Sequence, residues 1–512
     1  MPTLPETPRS YWLDSSAGTD YPPLAEDVAV EVVVVGAGIA GVCTAWELAR
    51  AGRRVALVEA GRVVGSTTGY TTAKLTAQHG LIYERLRSSL GADAAASYAA
   101  AQQDGIDRVA AVTAELDLEC ELERLPAYTY VTDEDGVKQV RAEAEAAAAA
   151  GLPATFVTDT GLPFAVAGAV RVQDQAQFHP RRYLLGLVED LLRRGGLVFE
   201  QSRVVELDEG EPCRVTTQSG ATVTAEHVVV ATHYPFVDRV PLFTRLVPRR
   251  ELVVAAPIPA AADPGGMYLT TEEGTRSVRT APHAVGQRLL IVTGEHFRPG
   301  AADIKERWQR LAGWTERHFG VAELTYHWAA QDNITPDGVP YIGRLHPKAT
   351  RTWVATGFNA WGMTNGVAAG RLLAALIGGQ SLPWAKLFDP GRVHPLAEAP
   401  AFVKGNLAVA AHFVGDRLRS GPVDSPDDLA PDSGAVLKVD GEHRAVYRDA
   451  GGELHAVSAT CTHLGCRVAF NAAERSWDCP CHGSRFSVDG EVLHGPATKP
   501  LAKAASEDAG EQ

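Results

Sequence analysis

Positions 28–35 (VAVEVVVV) form an apolar run of strand length, dominated by β-branched valine, which favours the pleated backbone. Gly36, Gly38 and Gly41 follow the run, residues 38–51 have helical composition, and 54–59 read as a second short strand. The opening is therefore a βαβ unit. Ala-rich stretches between Gly91 and Gly151, notably 142–150 (AEAEAAAAA), predict scaffold helices. An amphipathic helix over 183–194 ends at Gly195-Gly196, and strands are predicted at 197–200, 204–207 and 222–231. Alternating segments such as 251–255 and 288–293 predict a mostly antiparallel sheet between about 240 and 330. From Trp353 the βα pattern returns, with a helix over 360–377. Pro, Asp, Ser and Gly then accumulate, most densely in SGPVDSPDDLAPDSG, which reads as a linker before short β-like segments.

The first turn carries chemistry. Gly36-Ala-Gly38-Ile-Ala-Gly41 is GxGxxG directly after a strand and at the start of a helix. Such glycines permit the tight turn, close approach of a pyrophosphate and tight helix–strand packing. Glu59, 18 residues beyond Gly41, is placed to hydrogen-bond ribose hydroxyls. An acidic residue there disfavours NADP.

Four of the seven cysteines crowd into 21 positions, whereas Cys43, Cys120 and Cys213 are scattered and read as core thiols. Cys461-Thr-His463-Leu-Gly-Cys466 precedes Cys479-Pro-Cys481-His482-Gly-Ser484 by twelve residues. The boxes supply Cys-x-His and Cys-x-x-His, the ligand arrangement of a Rieske [2Fe–2S] centre, with Cys461, His463, Cys479 and His482 as ligands. Neutral imidazoles leave less negative charge on the reducible iron, so potentials run from about −150 to +300 mV rather than near −400 mV. The alternative is structural zinc, but its usual pairs are Cys-x₂₋₄-Cys with His-x₃₋₅-His. A full Rieske oxygenase would need a large iron-binding domain downstream, and only 30 residues follow His482.

The tail closely resembles the high-potential Rieske family. That resemblance implies that Cys466 and Cys481 pair as a disulfide between the cluster loops, and that Ser484 offers its hydroxyl to a bridging sulfide. It also implies a less positive potential, because Phe486 stands where the most oxidising members have a tyrosine bonded to a ligand sulfur. The late segment Ala355-Thr-Gly357-Phe-Asn-Ala-Trp361-Gly362-Met363-Thr364-Asn365-Gly366, with 228–232 (VVVAT) and 65–68 (GSTT), resembles the D-amino-acid oxidase/glycine oxidase-like (DAO) family of FAD-dependent oxidoreductases. This second resemblance covers roughly residues 28–380. It implies noncovalent FAD, with Ser66, Thr67, Val204, Ala231, Gly357, Gly362, Met363 and Thr364 joining the first-turn residues around it. The segment 70–79 is expected near the isoalloxazine, making Lys74, Gln78 and His79 the catalytic candidates. His179, Arg249 and Arg250 are further candidates for a substrate carboxylate.

The expected fold class is α/β (+β): a Rossmann-like FAD-binding domain with an inserted antiparallel substrate domain, and a small all-β Rieske domain. The expected boundaries are an N-terminal arm (1–27), the DAO-like body (28–380), a linker (381–430) and the Rieske domain (431–505). Within the body, 28–80, 155–235 and 335–380 are assigned to FAD binding, and 81–154 and 240–334 to the cap.

A net charge of −14 argues against general nucleic-acid binding, and 45% hydrophobic residues supply ample core. The N-terminus (MPTLPETPRSYWLDSS) lacks a basic stretch followed by an apolar run, so a cytoplasmic location without an integral membrane segment is expected. The leading functional expectation is a flavin dehydrogenase. A small amine or amino acid would give a hydride to FAD, and electrons would leave singly through the cluster to an external acceptor. The alternatives are a reductase with the opposite flow from an external donor, and a redox sensor. No second GxGxxG follows a strand, which weakens a reductase fed directly by NAD(P)H.

Overall fold

The computed structural model describes residues 2–237, 241–393, 425–439 and 441–503. Two large sheets form the body among the described residues. In the first, Thr352–Thr356, Thr222–Val230, Val28–Val35, Val55–Val58 and Leu197–Phe199 lie side by side and parallel, the doubly wound arrangement that buries strands on both faces. Burial explains the valine-rich composition: Val32, Val33 and Val34 are fully enclosed. Helices Ile39–Arg50 and Gly362–Ile377 pack against one another on one face. Gly370 makes that contact close, because a Cβ there would lie 2.6 Å from the Cys43 Cβ.

The second sheet is mostly antiparallel and includes Val247–Pro259, Gln287–Phe297 and Tyr326–Ile334. It also takes Lys74–Leu75 and Gly168–Gln177, which the expected boundaries gave to the FAD-binding parts. The reason is pairing: Gly168–Gln177 runs antiparallel to Glu123–Val131 and so extends the cap sheet. Helix Ile304–Phe319 covers one face of this sheet through Ile304, Trp308 and Leu311.

The N-terminal arm is packed, with Trp12 fully buried and its indole N–H donating to the Thr71 carbonyl at 2.7 Å. The body also continues past residue 380. Trp384 and Phe388 are buried, and Arg392 is clamped on Asp337 at 2.8 Å. Hence 381–393 belongs to the packed body rather than to a linker. Residues 394–424 of the expected linker lie outside the described residues, as do 504 and 505 at the end of the expected Rieske domain. Two small antiparallel sheets build the C-terminal domain, Ser433–Ser458 in three strands and Ala469–His494 in four. Among the described residues, no helix is long and apolar enough to cross a membrane.

Candidate redox site

A cavity of about 940 Å³ opens at the carboxyl ends of the parallel strands, within the size range of cofactor clefts. The glycine turn forms its floor. Gly36 has a φ of +98°, and a Cβ there would sit 2.6 Å from the Ala231 carbonyl oxygen. At Gly41, a Cβ would lie only 1.8 Å from the Gly36 oxygen, so this glycine serves helix–strand packing and is not itself a wall residue. Thr68 accepts the Ile39 N–H at 3.0 Å beside the helix N-terminus. The Glu59 carboxylate accepts from the Ala37 and Gly61 N–H groups, both at 2.8 Å, and burial raises its pKa against the pull of those bonds. A carboxylate held at the cavity edge beside a glycine cradle fits the ribose and pyrophosphate of FAD.

Ser66, Thr67, Val204 and Ala231 line the same cavity, as do Gly357, Gly362 and Met363. Gly357, Asn359 and Ala360 take left-handed backbone angles, φ +72°, +57° and +67°. Asp332 secures this turn by accepting the Ala360 N–H. The turn directs the N-terminus of Gly362–Ile377 at the cavity, where its orphan N–H groups favour negative charge. Thr364 lies behind the wall, with its hydroxyl 3.2 Å from the Thr76 carbonyl.

The expected catalytic trio is not on this surface. Gln78 is buried and donates to the Gly80 carbonyl at 2.6 Å. His79 bonds Tyr98 and the Thr76 carbonyl, both at 2.7 Å, and stacks on Trp361; burial lowers its pKa to about 3. Lys74 bonds Ser277 within the cap sheet, and burial with Arg279 nearby lowers its pKa to about 7. Their segment is drawn into the core by pairing with Gly168–Gln177, and only its first residues, Tyr70, Thr71 and Thr72, reach the cavity. His179 is likewise structural: it accepts the Arg182 N–H as a helix cap and bonds Ser15.

The cluster loops are compact. Cys461 N–H donates to the Cys466 carbonyl at 2.8 Å, and Cys479 N–H to that of Ser484 at 2.8 Å. Cys466 and Cys481 are joined as a disulfide, which removes them from the ligand pool although Cys466, Cys479 and Cys481 lie close together. The remaining thiols, Cys461 and Cys479, are within hydrogen-bonding reach of each other, and the His463 and His482 rings are 5.0 Å apart. Two buried thiols and two imidazoles, His482 buried and His463 half-buried, converge in these loops and fit a [2Fe–2S] centre. The Ser484 hydroxyl approaches Cys461 and accepts the Ala497 N–H at 3.0 Å. Phe486 is fully buried in the same cluster core. Phe486→Tyr should therefore raise the midpoint potential by about 50 mV, one hydrogen bond's worth for a one-electron couple. Redox titration followed by EPR checks this.

The two domains share a wall that the motifs did not predict. Glu474, Arg485 and His494 of the C-terminal domain line the flavin cavity, together with the 495–498 turn. Arg250, only 1% exposed, forks onto Glu474, and Arg485 bonds Asp478 at 2.9 Å and Glu474 at 3.2 Å. Gln331 donates to the Gly483 carbonyl at 2.9 Å, and Arg203 to that of Val492 at 3.0 Å. His233 bridges Asp332 at 3.2 Å and His494 at 3.1 Å. Of the expected carboxylate-binding arginines, Arg250 is thus occupied by Glu474, and Arg249 faces Glu251 at 2.7 Å.

The FAD dependent oxidoreductase (DAO) family matches residues 31–376, and the Rieske [2Fe-2S] domain family matches residues 420–505. YhfW of Bacillus subtilis (strain 168), named for a Rieske 2Fe-2S iron–sulfur protein, is 34% identical over 97% of both chains. The cytochrome b6-f complex iron–sulfur subunit of Volvox carteri is 38% identical over 102 residues, 20% of this chain and 43% of that protein. Among solved structures, glycine oxidase from Geobacillus kaustophilus is 20% identical with a TM-score of 0.60, covering 72% of this chain and 99% of that one. L-Proline dehydrogenase from P. horikoshii is 17% identical, with the same TM-score and coverage of 73% and 99%. With its glycine cradle, its convergent cysteines and histidines, and family matches across both halves, the chain belongs to the DAO family of FAD-dependent oxidoreductases and carries a C-terminal Rieske [2Fe–2S] domain.

Proposed function

We propose that this protein oxidises a small amine or amino acid at FAD and delivers the electrons one at a time, through the cluster, to an external acceptor. The observation that carries this reading is the shared wall: residues of the Rieske domain close the cavity in which the flavin-binding glycines lie. When bound, FAD supplies a hydride acceptor and the cluster a one-electron carrier. The protein's own groups do the rest. Gly36, Gly38 and Glu59 hold the dinucleotide, and the N-terminus of Gly362–Ile377 favours the anionic charge of the reduced ring. Cys461, His463, Cys479 and His482 ligate the cluster. The neighbouring folds, by name a glycine oxidase, an L-proline dehydrogenase and an L-amino acid deaminase, point towards C–N oxidation.

Tyr70, Trp328, Thr293 and Arg249 also face the cavity, and they replace Lys74, Gln78 and His79 as the side chains to test for substrate contact. An anaerobic screen of amines, amino acids and N-methyl amino acids tests the reading. A substrate should bleach the flavin near 450 nm (about, for an ordinary flavin), and the EPR signal of a reduced cluster should follow. Bleaching while the cluster stays oxidised indefinitely would refute the proposal.

A further inference from the structure

Tyr234 stands where the two cofactor sites meet. It follows the strand Thr222–Val230, whose end reaches the Gly36 turn, and its side chain is buried at 3% exposure while lining the flavin cavity. Backbone bonds fix it: its N–H donates to the Thr232 carbonyl at 2.8 Å, and the Thr232 hydroxyl donates to the Tyr234 carbonyl at 2.8 Å. Its ring also meets both imidazoles edge-on, with centroids 6.3 Å from His463 and 6.2 Å from His482. Edge-to-face packing at such distances is a specific aromatic contact. One side chain of the flavoprotein thus touches the cavity and both histidines of the cluster loops.

We infer that Tyr234 is the bridge through which electrons cross from the flavin cavity to the histidine side of the cluster. The inference rests on the proposed direction of flow and adds the route. Each crossing moves one electron and no atom: reduced FAD is the reductant, the diferric cluster the oxidant, and the phenol is itself unchanged. The second electron of a hydride would follow after the external acceptor has emptied the cluster, and the proton that the hydride brought would leave to solvent. Gln331 acts as a positioning residue, because its bond to the Gly483 carbonyl holds the second cluster loop against this face. The fit there is close, since a Cβ on Gly483 would lie 2.7 Å from the Gln331 amide nitrogen and 2.8 Å from Pro248.

The test needs no substrate. FAD in the holoenzyme is photoreduced anaerobically with EDTA as donor, and the reduced-cluster EPR signal is timed by freeze-quenching. Tyr234→Phe keeps the ring and should stay within about twofold of wild type, whereas Tyr234→Leu should slow the signal on the order of tenfold or more. Loss of the ring should also shift the g-values of the dithionite-reduced cluster in Tyr234→Leu, with Tyr234→Phe matching wild type. Should the leucine variant not retain both cofactors, Gln331→Glu, which cannot donate to Gly483, should slow the transfer with Tyr234 intact. Wild-type rates in Tyr234→Leu, or in Gln331→Glu where that variant stands in, overturn the bridge and leave the proposed function standing. A wild-type flavin that bleaches without ever reducing the cluster removes both.

Discussion

Arg250→Leu should lift the Rieske domain from the flavin cavity. The substitution leaves half-buried Glu474 and fully buried Asp478 with Arg485 to balance them, and breaking such a pair costs up to about 3–5 kcal/mol. Arg250 and Arg485 hold the Glu474 carboxyl down at about 2, from its ordinary 4.5. A depressed carboxylate pKa adds stability above the ordinary value and loses it as the pH falls through the depressed one. In the wild type, the latch should therefore hold at neutral pH and weaken from pH 4.5 down towards 2. Hydrogen exchange at the backbone around residues 474 and 483 reads the docking directly. Faster exchange there, with iron and sulfide content unchanged, is the expected result; exchange matching wild type would show that Arg250 does not carry the interface.

Gly41→Ala should remove FAD binding altogether. The new methyl would lie 1.8 Å from one backbone oxygen and 2.9 Å from the adjoining carbonyl carbon, and neither can rotate away. The helix Ile39–Arg50 must then separate from the turn it caps, at a cost of more than about 3 kcal/mol. Gly18→Ala is the control, with no heavy atom within 4 Å of its added carbon. Flavin absorbance co-eluting with protein on gel filtration separates the two variants. A flavin-replete Gly41→Ala protein of wild-type melting temperature would contradict the packing role.

Local patterns in the sequence are legible where a run of one composition is bounded by glycines or charges. The strand expected at 28–35 is Val28–Val35, the helix expected at 38–51 is Ile39–Arg50, and the strand expected at 54–59 is Val55–Val58. The cysteine–histidine boxes are equally readable, because metal ligation demands fixed spacing within a loop. One periodic signal runs against the sheet expected around it: Ile304, Trp308, Leu311 and Thr315 recur at helical spacing and form the buried face of a helix.

Other features leave no local trace. Arg250 and Glu474 are 224 positions apart, and each alone resembles an ordinary charged residue. Lys74, Gln78 and His79 are polar and close in sequence to a flavin motif, a combination that points to a reactive surface. Their partners Ser277, Gly80 and Tyr98 belong to the core, so the Lys74 ammonium, the Gln78 amide N–H and the His79 ring are bonded internally. Trp12 is hidden in the N-terminal arm, and its anchors, the Thr71 carbonyl and the His179 ring, lie far along the chain.

The roof over the cavity has a consequence for dioxygen. A flavin under an open mouth leaks its electrons to any small oxidant that diffuses in. On the proposed direction of flow the covering domain is also the sink, so one docked element both shields the cavity and discharges it. Variants with a loosened roof should therefore gain peroxide production as they lose cluster reduction, turning the proposed dehydrogenase into an oxidase without altering a single group that touches substrate.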